Sequence, residues 1–312
     1  GGVDSSVAAA MMVEAGHDVI GVMLRLWNQE GQESENRCCT PEAVNLARRV
    51  AARLGIPFHV LDAKVPFYQA VVEPFLDDYA AGLTPNPCIR CNRLIRWGFL
   101  MDQARAMGAE AFVTGHYARI EQTGGLAVLR KGLDPAKDQS YVLAGLTREQ
   151  LGFTMLPVGD YRKDAIRARA ANLQFEVASK PDSQDLCFLG NGDYRDFLAK
   201  YRPDSTGFLP GEIVDVTGRV LGQHEGLIHY TIGQRKGIRL AAAQPLYVIR
   251  KELERNRLVV GPMEASGVAQ FTVGELNWLG EACPPDSGKM TVMVRYRSRE
   301  MLVRGLAEDS GQ

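Results

Sequence analysis

The chain has no run of apolar residues near the ~18 that a membrane-spanning helix needs, so no segment is expected to cross a bilayer. Cysteine is scarce, with 6 in 312 residues. That excludes a disulfide scaffold and leaves the thiols for chemistry or burial. A dominant charge is also lacking. The formal net charge is −1, so any nucleic-acid binding must come from local basic patches. Neither an internal repeat nor a low-complexity segment is present. What remains is ordinary globular composition, 46% hydrophobic and 23% charged. The length suits about two or three domains, and a cytoplasmic location is the expectation.

The chain opens Gly1-Gly2-Val3-Asp4-Ser5-Ser6. It lacks the lysine of a Walker loop and the spacing of G-x-G-x-x-G. Two glycines nevertheless let the backbone approach a ligand closely. Val3 to Met12 then reads as an Ala-rich helix that stops near Gly16. The helix N-terminus presents unpaired N–H groups and a positive dipole end, which suit an anion. Asp4 is the odd residue, and it suits either Mg²⁺ or a helix cap. An ordinary turn with a cap is the bland alternative.

Strand and helix signals alternate over the first two hundred residues. Asp18 to Leu26 reads as a strand buried on both faces. Pro41 opens a helix whose apolar stripe runs through Val44, Ala47, Val50 or Ala51, and Leu54, with Gly55 ending it. Ile56 to Asp62 is the next strand, Arg93 to Met107 is helical, and Ala111 to His116 is strand-then-loop. This predicts an α/β fold with a doubly wound parallel sheet, whose ligands sit off the carboxyl ends of the strands. Gly1 to Ser6, Met23, Leu24, Asp62 and Thr114 to His116 are expected to gather at that edge. After about Tyr201 the texture turns to β. Residues 208–215 with 218–222, and 246–250 with 257–261, read as hairpins. Strand signals follow at 289–296 and 301–306. The expected domains are 1–201, 202–266 and 267–312.

Cys88-Ile89-Arg90-Cys91 lies on a Pro-flanked loop before a helix, where Arg90, Arg93 and the helix N-terminus favour a thiolate at Cys91. Cys187 ends a second polar loop. Three readings stay open: a sulfur-transfer pair of Cys91 and Cys187, a three-cysteine iron–sulfur cluster on Cys88, Cys91 and Cys187, or a zinc site short of a fourth ligand. Three inert buried thiols are the bland alternative. Cys38, Cys39 and Cys283 are taken as incidental. His116 suits a substrate contact or a structural role. Lys137-Asp138-Gln139 forms a charged turn. Arg295-Tyr296-Arg297-Ser298-Arg299 interleaves basic and aromatic residues, as an RNA-contacting strand does, although a solvated strand face is commoner.

Together, Gly1 to Ser6 resembles the PP-loop of ATP pyrophosphatases, a fold of the adenine nucleotide alpha hydrolase type. Asn86-Pro87-Cys88-Ile89-Arg90-Cys91-Asn92, Thr114 to Tyr117, Lys137 to Tyr141, Asp182 to Phe188 and His229 to Arg235 resemble motifs of the tRNA-specific 2-thiouridylases (MnmA type). The likeness spans nearly the whole chain. It implies that ATP, with Mg²⁺, adenylates the C2 oxygen of the wobble uridine in tRNAs for Lys, Glu and Gln, after which sulfur replaces it. Cys187 would carry a persulfide from a sulfur-relay donor or cysteine desulfurase. Cys91 would resolve it as a Cys91–Cys187 disulfide. Gly1, Gly2, Val3, Asp4, Ser5, Met23 and Gly115 would bind ATP. Asn86, Pro87 and Cys88 would hold the uridine, while His116, Lys137, Asp138, Gln139, Arg295 and Tyr296 would touch tRNA. A [4Fe-4S] version of the chemistry is the alternative. The resemblance also implies that the family's first strand and its last barrel strands lie outside these 312 residues, and that the isolated chain is inactive and poorly stable.

Overall fold

The structure is a computed structural model that describes residues 2–29, 40–180, 186–190, 192–267, 270–279, 290–294 and 300–306. Helix α1 (Val3–Glu14) is followed by β1 (Gly21–Arg25), α2 (Pro41–Leu54) and β2 (Phe58–Asp62). Strands β1 and β2 pair in parallel, Gly21 against Phe58 through Arg25 against Asp62, so their carboxyl ends lie side by side. Thr40 Oγ1 caps α2 by accepting from Ala43 N at 3.1 Å. Gly55 ends that helix at φ 69°, a left-handed conformation that favours glycine. The buried stripe is Ala43, Ala47, Val50 and Ala51, one residue earlier at its start than the periodicity suggests. Strand β1 is shorter than expected, and its residues are half-buried or exposed instead of buried on both faces.

Two long helices come next, each with a wide turn inside it. Helices α3 (Lys64–Phe67) and α4 (Glu73–Ala80) are joined by π-helical Tyr68–Val72. Helices α5 (Pro87–Arg90) and α6 (Met101–Ala106) are joined by π-helical Cys91–Leu100. Strand β3 (Phe112–Val113) follows. Then comes a hairpin of β4 (Ala118–Thr123) and β5 (Leu126–Lys131), turning at Gly124 and Gly125 with φ 57° and 81°. The sequence reading did not include this hairpin, although the Gly-Gly pair signals it. Helices α7 (Ser140–Leu143) and α8 (Arg148–Gly152) lead to β6 (Thr154–Met155), which pairs in parallel with β3. Helices α9 (Lys163–Asn172) and α10 (Tyr194–Tyr201) complete this part.

Helix α1 is apolar on most sides because it is sandwiched. Val3, Val7, Ala8 and Ala10 pack with Val50 of α2 and with Ile166 and Ala170 of α9. A second cluster joins Phe67, Phe75, Leu76, Phe188 and Phe197. A third surrounds Trp97 with Met101, Phe112, Leu143 and Leu151.

Beyond α10 the chain is β. Strands β7 (Gly211–Asp215), β8 (Val220–His224), β9 (Tyr247–Glu252) and β10 (Arg257–Gly261) form one sheet in the order β8-β7-β10-β9. The two expected hairpins are present, and a parallel β7–β10 pairing fuses them. Farther on, β11 (Thr291–Val292) pairs with β12 (Met301–Leu302), both shorter than the strand signals there. No described helix is long and apolar enough to cross a membrane.

One residue of the four-stranded sheet works against its stability. Lys251 stands opposite Leu258, which stands opposite Ile213, so all three share a face. Leu258 and Ile213 belong to the apolar core beneath that sheet. The Lys251 Nζ is enclosed there without a hydrogen-bond partner, and burial pulls its pKa from 10.5 down to about 8. The unfolded chain therefore holds a proton that the folded one has released between those values. Stability should rise as pH climbs from about 8 to 10.5. Lys251→Met should raise the unfolding midpoint near neutral pH and flatten that rise, as read by urea titration across the range.

Candidate functional site

The N-terminal loop is built by its own helix. Gly2 caps α1 with extended backbone. Its N–H donates to Ser5 Oγ at 3.2 Å, and its carbonyl accepts from Ser6 Oγ at 2.9 Å. Ser6 is buried and Ser5 is exposed, so Ser5 faces outward with the unpaired N–H groups of the first turn.

Asp4 does not cap the helix. Its Oδ1 accepts from Tyr117 Oη at 2.7 Å, and Lys163 Nζ reaches both carboxylate oxygens, at 2.7 and 2.9 Å. The ammonium also lies 5.5 Å from the Tyr117 ring. Tyr117 closes the Thr114 to Tyr117 motif, but nothing in the sequence pairs it with Asp4, and Lys163 stands in none of the motifs. Lys163 is far away along the chain, and no local pattern marks it.

Gly115 meets the same loop from another side. A Cβ on it would lie 2.6 Å from both the Asp4 carbonyl carbon and the Ser5 nitrogen. The backbones are in direct contact, and only glycine fits. The expected gathering of the loop with Thr114 to His116 is therefore present. Met23 is half-buried in the middle of β1. Asp62 ends β2 beside Arg25, its Oδ1 accepting from Lys64 N at 2.9 Å. Gly1, Arg295 and Tyr296 lie outside the described residues, as do Cys38, Cys39, Cys283 and the stretch 181–185 of the second cysteine motif.

His116 is half-buried, and its Nδ1 lies 2.9 Å from Thr114 Oγ1. The Trp97 ring is 5.3 Å away. Desolvation, with the Arg96 guanidinium as a second cause, pushes its pKa down to about 3. The imidazole is therefore neutral at physiological pH and brings no positive charge to a phosphate. Of the charged turn, Asp138 Oδ1 accepts from Gly132 N at 2.8 Å, and its Oδ2 from Ser140 Oγ at 2.8 Å. Gln139 grips Tyr117 twice: its Oε1 accepts from Tyr117 N at 3.0 Å and its N–H donates to Tyr117 O at 2.8 Å. These two side chains brace the turn that presents Tyr117 to Asp4. Lys137 is half-buried beside them.

The cysteine loop starts a helix. Asn86 caps α5, with Oδ1 accepting from Ile89 N at 3.4 Å. Pro87 occupies the first helical position and is buried, whereas Cys88 is exposed. Arg90 and Arg93, expected to favour a thiolate at Cys91, each hold a further partner. Arg90 Nε donates to Ala70 O at 3.2 Å, and Arg93 pairs with Glu275 at 3.1 Å. Arg96 is a cation that acts on Cys88. The crowded loop pushes the Cys88 thiol up, the electrostatic influence of neighbouring Cys91 adds to that, and Arg96 opposes it. Cys88 itself reaches solvent, so the upward direction marks a thiol that is not activated. Cys88, Cys91 and Cys187 are thiols, so the implied Cys91–Cys187 disulfide is not formed here. Cys91 and Cys187 are half-buried and pack against one cluster around Phe67, Phe75 and Phe188. Among the described residues, which include all three thiols, no group of three His, Cys, Asp or Glu is arranged to hold a metal ion. The donor geometry of a three-cysteine cluster is thus not in place among the described residues. Asp4 offers the hard oxygen that Mg²⁺ takes beside phosphate oxygens.

Residues 1–191 match the family model described as the tRNA methyl transferase HUP domain. Residues 195–262 match the tRNA methyl transferase PRC-barrel domain. The chain is 47% identical over 96% of its length to the tRNA-specific 2-thiouridylase MnmA of Methylorubrum extorquens (strain PA1), of which it covers 77%. A relative of the same name from Heliobacterium modesticaldum (strain ATCC 51547 / Ice1) is 47% identical over 95% of the chain, with 77% of that protein covered. The one from Chloroflexus aggregans (strain MD-66 / DSM 9485) is 43% identical over 100% of the chain, with 87% covered.

Two outcomes test this geometry. Gly115→Ala forces backbone apart and should lower the unfolding free energy by about 1–3 kcal/mol. Gly152→Ala, in helix α8 with nothing within 4 Å of the new Cβ, serves as the control in the same urea titration and should be unchanged or slightly stabilised. For His116, the unfolded chain binds a proton below pH 6.5 that the folded chain refuses until about pH 3. Stability is complete above 6.5 and falls below it by up to about 1.4 kcal/mol per pH unit. His116→Gln should remove that slope.

Proposed function

This chain belongs to the tRNA-specific 2-thiouridylase (MnmA) family, and we propose that it replaces the C2 oxygen of the wobble uridine in tRNA with sulfur. The observation that carries the reading is a linkage. Cys91 and Cys187, from distant segments, meet the same apolar cluster. The helix that begins at Cys91 carries Trp97, whose ring contacts His116 beside Gly115, and Gly115 touches the phosphate-type loop. A sulfur site and an anion site are thereby held in one frame.

The chemistry needs both. Uridine C2 is a poor electrophile until ATP adenylates its oxygen, which then departs with AMP. The first-turn N–H groups of α1 and Ser5 Oγ suit the pyrophosphate released in that step, and Mg²⁺ held at Asp4 supplies further positive charge when bound. A persulfide on Cys187 attacks C2 through its outer sulfur and displaces AMP. The Cys91 thiolate then attacks Cys187 Sγ. The S–S bond breaks, the electron pair goes to the sulfur on the base, and a Cys91–Cys187 disulfide remains for an external thiol to reduce. The uridine must leave its stack first, at a cost of a few kcal/mol, and exposed Asn86 and Cys88 with buried Pro87 form the ledge proposed to receive it. The sulfur comes from a relay protein or cysteine desulfurase, and tRNAs for Lys, Glu and Gln are the proposed acceptors. The division into 1–201, 202–266 and 267–312 belongs to the same proposal, with the β region as a tRNA platform.

The matching family models are described as tRNA methyl transferase domains, so methyl transfer is the rival. The cysteine pair favours sulfur, because methyl transfer needs no second thiol to resolve a persulfide. Mass spectrometry of tRNA from a Cys187→Ser strain separates them: 2-thiouridine should disappear. Unchanged 2-thiouridine would sink the persulfide role. A methylated uridine made by the wild type in place of a thiolated one would favour the rival.

A further inference from the structure

The sequence motif posed a question that its own residues do not answer. A phosphate loop of this form contains an acid, Asp4, and no lysine or arginine from Gly1 to Met12. Phosphate oxygens entering at the first turn of α1 would meet a carboxylate with no cation beside it in the chain.

Lys163 is the cation that tertiary structure brings there. Its Nζ lies 2.7 and 2.9 Å from the two Asp4 oxygens, and its side chain is 12% exposed against 30% for Asp4. The pair is thus sheltered on the lysine side and open on the acid side, toward the loop. Helix energetics do not explain the placement. Lys163 occupies the first position of α9, after an N-cap, Arg162, that makes no side-chain cap bond. A positive charge is disfavoured at a helix N-terminus. Its backbone is nevertheless pinned. Lys163 N donates to Asp134 Oδ2 at 3.1 Å, buried Asp134 also accepts from Ala136 N at 3.0 Å, and Lys137 N bonds the Asp134 carbonyl at 3.0 Å. The backbone is fixed, and the four-carbon stem of a lysine can turn its ammonium to another acceptor. Asp4 retains Tyr117 Oη if the ammonium moves.

We propose that Lys163 is the phosphate-binding cation of this site, held on Asp4 until ATP enters and then shifted to its pyrophosphate portion. The exchange leaves the Asp4 carboxylate for Mg²⁺ and puts the ammonium where the leaving group's charge develops. This rests on the ATP reading above and adds a residue that no sequence motif marks.

Binding of inorganic pyrophosphate and of MgATP, measured by titration calorimetry near neutral pH, tests it without turnover. Lys163→Met should weaken pyrophosphate binding by about tenfold to a hundredfold, the size of one charge-assisted hydrogen bond. Lys163→Arg should stay within about threefold of wild type, because the charge is kept. Asp4→Asn in magnesium-free buffer should tighten pyrophosphate, because the competing carboxylate is gone. Removing Lys163 alone leaves Asp4 unpaired and can unfold the loop, so the decisive comparison is Asp4→Asn against the double variant Asp4→Asn with Lys163→Met. About tenfold weaker binding in the double variant supports the proposal. Equal affinities, with wild type binding normally, overturn it and make the lysine a structural partner only. If wild type binds neither ligand, the ATP reading itself fails.

Discussion

The contact on which the site depends is backbone against backbone: Gly115 lying on the Asp4–Ser5 peptide. Main chain cannot yield as a side chain does, so this approach sets where the first turn of α1 stands relative to the end of β3. The first-turn N–H groups and Ser5 stand on that turn, and Lys163 of α9 reaches it through Asp4. The positions around it are equally unforgiving. A Cβ on Gly132 would lie 2.7 Å from the Tyr117 carbonyl oxygen. A Cβ on Gly159 would fall on the Ala118 carbonyl. Three glycines thus let the β3–β4 region, the 132 turn and the α1 loop close on one another without side chains between them.

A second layer ties this frame to the cysteines. Trp97 is buried, donates from Nε1 to Thr154 Oγ1 at 2.7 Å, and presents its ring to His116. It lies within the π-helical stretch that begins at Cys91. Wide turns of this kind are found often at functional sites. The same stretch fills two cores at once: Cys91 borders the Phe67–Phe188 cluster, and Trp97 anchors the other. Cys187 borders the first of these together with its neighbour Phe188. The two thiols are therefore placed by aromatic packing, not by a bond between them.

Charge is arranged with similar economy. The acid of the loop is matched by one lysine and one phenol, and the imidazole above it is kept neutral by desolvation and by Arg96. Asp138 and Gln139 spend their polar atoms on Gly132, Ser140 and Tyr117. Within the charged turn, the Asp138 and Gln139 side chains brace the backbone around the tyrosine.

How much of this was legible varied with the range of the interaction. Helix α2 was readable because Pro41, the apolar stripe and Gly55 are local instructions, as were the hairpins beyond Tyr201. The glycine loop, both cysteine motifs and Gly115 were readable as chemistry-bearing residues. The bonds of Arg90 to Ala70 and of Arg93 to Glu275 could not be read from adjacency, which does not say what a helical side chain reaches. Lys163, Tyr117 as an Asp4 partner, Arg96 and the parallel β7–β10 pairing were invisible, because each depends on segments that meet only after folding. The sequence by itself determined the kinds of group present and the family they belong to. Tertiary structure alone decided which cation faces the lone acid of the loop, because that choice is made by the packing of α9 against α1 across a shared apolar core.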